Sequence, residues 1–128
     1  MAAPKLSANQ VQRIEELQGY VRTLDHVKKL VAELESNRAA NPKILKGISE
    51  SIARELSHMR QRALTKNLGT LPDTAGSLSI VAARQGTGIN VKIRALQDGL
   101  NSISIQLDQS LKMAHEAKPE KEPEKKQS

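Results

Sequence analysis

Residues 89–111 read INVKIRALQDGLNSISIQLDQSL, and the spacing of their apolar side chains decides what the rest of the chain must be. Ile89, Ile93, Leu96, Leu100, Ile103, Leu107 and Leu111 follow one another in steps of three or four residues. That spacing places all seven along one stripe of an α-helix running from Gly88 to about His115. A single helix cannot bury such a stripe, so partners of similar length are required.

Two earlier segments have the pattern to supply them. The first helix is expected to start at Ser7 or Asn9, either of which can cap it, and to run to about Ser36. Its stripe is Val11, Ile14, Leu17, Val21, Leu24, Val27, Val31 and Leu34, and the face opposite carries Arg13, Glu16, Asp25, Lys28, Lys29 and Glu33 at pairing distances. Asn41 followed by Pro42 is a helix-start signal, an N-cap side chain and then a proline whose missing N–H is not needed there. The second helix has the stripe Leu45, Ile48, Ile52, Leu56, Met59 and Ala63, and is expected to end at Leu68 with Gly69 in the left-handed C′ position. Each of the three rods should be about 40 Å long.

Thr70 to Ser77, with Pro72, Asp73 and Gly76, reads as a loop. Leu78 to Arg84 follows as a short extra helix, capped by Asp73 or Thr74, or as the beginning of a longer helix broken at Gly86 and Gly88. The break is the preferred form. After Ala117 there is no apolar residue, and four Lys, three Glu and two Pro up to Ser128 cannot offset their own ordering entropy. The expected architecture is therefore all-α: one helical domain over residues 1–117, an antiparallel three-helix bundle with a short extra helix before the third, and a disordered charged tail over 118–128.

A rival α+β reading of residues 77–108 also exists. Leu78 and Ile80, then Ile89, Val91 and Ile93, then Ile103, Ile105 and Leu107 alternate with polar residues at period two, and Gly86, Gly88 and Asp98-Gly99 fall where hairpin turns would. Two long helices would then carry a three-stranded meander. Strands accommodate Ile80, Val91 and Ile105; a helix accommodates Leu96, Leu100 and Leu111. Leucines at 96 and 100, where a hairpin needs polar turn residues, favour the helix, at a cost of about 1 kcal/mol for Gly99 in its interior.

Composition narrows the function classes. Among 128 residues Tyr20 is the only aromatic and there is no cysteine, which excludes disulfides, thiolate nucleophiles and cysteine-based metal sites. The absence of cysteine and of an apolar leader before Leu6 fits a soluble, cytoplasmic protein, and no apolar run approaches the roughly 20 residues that span a bilayer. The net charge of +6 sits mainly in the body, with Arg60, Arg62, Lys66, Arg84, Lys92 and Arg94 against Asp73 between Leu56 and Gln97.

Few residues suggest chemistry. His26, His58 and His115 have no neighbouring ligand at metal-motif spacing, so no metal or cofactor is expected. Glu15, Glu16, Glu33 and Glu35 belong to a solvated helix face. Gly86, Thr87 and Gly88 ahead of a helix, with Lys92 one turn inside it, could cradle a phosphate, but the G-K-[ST] triplet of a phosphate-binding loop is missing and helix-breaking explains the same glycines. Arg54, His58, Arg62 and Lys66, spaced by four with Arg60 beside them, form a basic edge suited to phosphates or to a partner's acidic side chains. Ile80, Val91 and Ile105 are left outside the helical stripes as a candidate contact surface. With no nucleophile, base and orienting group to name, a catalytic role is not expected. The leading expectation is a helical protein–protein interaction module, a scaffold, adaptor or chaperone-like protein that self-associates. The alternative is a basic protein that binds nucleic acid without sequence preference.

Overall fold

The computed structural model describes residues 6–84 and 88–116. Among them are four helices and no strand: α1 (Ala8–Ser36), α2 (Pro42–Ala63), α3 (Leu71–Ala83) and α4 (Ile89–Glu116). The all-α reading holds. The expected tail, 118–128, lies outside the described residues.

The helix starts follow from local chemistry. Ser7 accepts a hydrogen bond from the Gln10 amide on its Oγ (3.1 Å), while Gln10 Oε1 accepts from the Ser7 amide (2.9 Å), a reciprocal cap that satisfies two amides the helix leaves free. Asn41 Oδ1 accepts from the Lys43 amide (2.7 Å), with Pro42 opening α2.

The meander is excluded by which isoleucines and valines are buried. Period-two pairing would place Val91 and Ile105 on the same face as Ile93 and Ile103. Val91 is instead 64% exposed and Ile105 57%, while Ile93, Leu96, Leu100, Ile103 and Leu107 are buried along one stripe of α4. A helix buries positions three and four apart, and that is the set found inside.

Three expectations need correction. Thr70 to Ser77 is not a loop: α3 begins at Leu71, and Leu71, Ala75, Leu78 and Ala82 form its buried stripe. Pro72 and Asp73 occupy its first turn, where proline's lost N–H is not missed and a carboxylate meets the positive end of the helix dipole. The N-cap is Thr70, not Asp73 or Thr74, and it makes no side-chain cap bond. Second, α2 stops at Ala63 rather than Leu68. Residues 64–67 form turns, and both Asn67 (φ 58°) and Gly69 (φ 62°) adopt the left-handed conformation that these two residue types tolerate best. This brings Leu68 and Leu71 into the core, and Arg13 donates to the carbonyls of Lys66 (2.7 Å) and Asn67 (3.4 Å) that the shortened helix leaves open. Third, the rods are unequal: at 1.5 Å per residue α1 and α4 are roughly 43 Å long, α2 about 33 Å and α3 about 20 Å.

The short helix is a full member of the bundle. Among the described residues α1 packs on α2 and α4, and α3 packs on α2 and α4, while the diagonal pairs stay apart. Neighbours run antiparallel. Gln10 of α1 donates to the Ala114 carbonyl at the far end of α4 (3.3 Å), and at the other end Arg38 donates to Asn90 Oδ1 (2.8 Å). Ser79 of α3 donates to the Ala53 carbonyl of α2 (2.9 Å) and accepts from Ser57 (2.7 Å). The N-termini of α2 and α4 therefore lie at one end, together with the C-termini of α1 and α3. One apolar core draws on all four helices.

Candidate functional site

The expected basic edge on α2 is divided by its neighbours. Residues four apart advance about 40° around a helix, so a run spaced by four spirals from one side to another. Arg54 and His58 remain exposed. Arg60 turns toward α3, where its Cδ lies 2.8 Å from the point at which Gly76 would carry a Cβ. Lys66 reaches α1 and pairs with Glu16 (Nζ to Oε2, 3.1 Å).

Arg62 crosses the α1–α2 groove. Its guanidinium carbon lies 5.0 Å from the centroid of the Tyr20 ring, a cation–π contact. Tyr20 itself is buried, and burial pushes its phenol pKa up while Arg62 opposes the rise. Arg22 of α1 approaches the same place. Its Nη2 and that of Arg62 lie 3.8 and 3.4 Å from the point where Gly19 would carry a Cβ. Among the described residues neither guanidinium has a carboxylate partner. Two like charges thus converge over a glycine, one of them stacked on a buried ring. The sequence reading missed both Arg22 and Tyr20. Tyr20 lies three residues after Leu17 and four before Leu24, a helical spacing that would have found it, whereas nothing local marks Arg22.

The other candidates are spread out. The glycine-led phosphate motif lies partly outside the described residues, which include Gly88 and Lys92 but not Gly86 or Thr87. The Gly88 carbonyl accepts from the Lys92 amide (3.0 Å) as α4 begins, and the Lys92 side chain enters a cleft of about 210 Å³ between the first turns of α2 and α4 and the last turn of α3. Val91 and Ile105 share the outward side of α4 but stand fourteen residues apart, roughly 21 Å along the helix. Ile80 lies by the α2–α3 groove, beside Arg60 and Gly76. The three do not form one patch. His26, His58 and His115 are exposed, and no cluster of potential metal ligands occurs among the described residues. Nor is any helix among them long and apolar enough to cross a membrane.

No family model matches the chain, and neither a curated protein nor a solved structure shows significant similarity to it.

Proposed function

We propose that this chain is a cytoplasmic, non-enzymatic helical interaction module, a scaffold, adaptor or chaperone-like protein, that receives an acidic segment of a protein partner along the α1–α2 edge. The observation that carries the reading is the convergence of Arg22 and Arg62 over Gly19 without a carboxylate partner. Both guanidiniums are exposed and offer donors to an incoming carboxylate, and Arg62 is held in place by its stacking on Tyr20. Arg54 extends the cationic surface along α2, with exposed His58 one turn further on. Charges on a protein rim set partner choice and association rate more than they set affinity, which suits an adaptor. No reacting group is needed.

A fluorescently labelled Glu-rich peptide and a labelled DNA duplex, compared by anisotropy at low and raised salt, separate this reading from nucleic-acid binding. The peptide should bind, and the Arg22→Glu, Arg54→Glu, Arg62→Glu variant should lose most of that binding. Duplex binding with a steep salt dependence, and none to the peptide, would replace the proposal with the nucleic-acid alternative.

A further inference from the structure

The outer stripe of α4 carries a charge pattern that is unchanged when the helix is turned end for end and its signs are exchanged. At 3.6 residues per turn Arg94, Asp98, Ile105, Lys112 and Glu116 fall within an arc of about 40°, opposite the buried Leu96 and Ile103. All five are exposed. Ile105 is at the centre, with Asp98 and Lys112 seven residues to either side of it and Arg94 and Glu116 eleven residues to either side. Arg94 and Asp98 are four apart, as are Lys112 and Glu116, yet among the described residues none of these four charges is in an ion pair.

A second copy of the chain, laid antiparallel with a two-fold axis at Ile105, meets every one of these groups with its complement. Ile105 meets its own counterpart, Asp98 meets Lys112 and Arg94 meets Glu116, each ion pair occurring twice because the contact is isologous. Other arrangements fail. A parallel pair sets each charge against its own kind. Moving the axis by two residues, about 3 Å, sets Arg94 against Lys112 in one direction and Asp98 against Glu116 in the other.

We infer that the outer face of α4 pairs antiparallel with the same face of a second copy of this chain, with Ile105 on the two-fold axis and the Asp98–Lys112 and Arg94–Glu116 ion pairs on either side. Exposed ion pairs add little affinity each, so their part is to set orientation and register, and the association is weak and falls as salt rises. The face shares no residue with the Arg22–Arg62 edge, so the two readings stand or fall separately. Two copies joined in this way present two such edges, and a partner with two acidic segments gains from both.

The test is sedimentation equilibrium of the full chain at low salt, where the wild type should show a concentration-dependent dimer. Asp98→Lys sets lysine against Lys112 at both symmetric contacts and should weaken the dimer at least about tenfold. Lys112→Asp sets aspartate against Asp98 and should weaken it as much, although it lowers the positive charge of the chain and so relieves general repulsion. An equimolar mixture of the two variants should dimerise about as well as the wild type, because every contact in the heterodimer again pairs lysine with aspartate. Recovery in the mixture also shows that neither variant has lost its fold. A wild type that is monomeric at every concentration would overturn the inference, as would a dimer that either charge reversal leaves unchanged or a mixture that stays as weak as its components.

Discussion

Ser7 and Lys92 show opposite ways in which a single side chain meets the stability of this bundle. Ser7 satisfies the Gln10 amide, and Gln10 returns the bond while also reaching the Ala114 carbonyl of α4. Replacing Ser7 with alanine removes one half of the reciprocal cap, and urea denaturation should register a loss of about 1 kcal/mol. Lys92 works against folding. Because burial lowers its native pKa beneath 10.5, the unfolded chain holds the proton longer, and between the two values stability rises with pH. Below that window the whole penalty is present. Lys92→Met should therefore be the more stable protein at neutral pH, and the gap should narrow as pH climbs through 10.5. Tyr20 acts in the other direction only above pH 10, where its raised phenol pKa makes the native state the better proton binder. A gap that stayed constant as the pH rose through 10.5 would mean that Lys92 is not desolvated.

At the scale of the helices, the α3–α4 contact turns on Gly99. A Cβ at that position would lie 2.4 and 2.5 Å from the Leu78 methyl carbons and 2.8 Å from its Cγ, too close for the side chain to yield by moving its tip alone. Glycine in a helix interior costs about 1 kcal/mol relative to alanine, and at an open position Gly→Ala would recover it. Here overpacking wins. Gly99→Ala should destabilise by about 1–2 kcal/mol, and Leu78→Ala in the same chain should cancel much of the added loss in a double-mutant cycle. Additive effects would show that the two residues do not touch. Position and packing also explain why the turn signals before Leu78 misled: Pro72, Asp73 and Gly76 resemble a loop, yet each has a place in a helix. Proline and aspartate fit its first turn, and the glycine admits the Arg60 stem. Which of these a glycine or proline means depends on what packs beside it.

For the whole molecule, a closed ring of four antiparallel helices buries the leucine-rich stripes and leaves Val91 and Ile105 on the outer side of α4. If the module self-associates through that side, Ile105→Asp should shift the sedimentation coefficient toward that of the monomer without lowering the melting temperature. A wild-type chain that sediments as a monomer at every concentration would remove self-association from the proposal and leave the α1–α2 edge as its binding surface. The sequence by itself determined the helical class, the starts of α1, α2 and α4, and most of the core, because periodicity and capping depend on residues within a turn or two of one another. The early end of α2, the membership of α3 in the ring, the meeting of Arg22 with Arg62 and the burial of the Lys92 stem were decided only in three dimensions. Each depends on residues far apart in the chain or on different helices: Arg13 reaches carbonyls more than fifty positions away, Arg62 of α2 comes to Gly19 of α1 beside Arg22, and the Lys92 stem lies against the ends of two helices that precede it. Local pattern says which face of a helix is apolar, but only packing says which helix that face will meet and which charges will be carried inside with it.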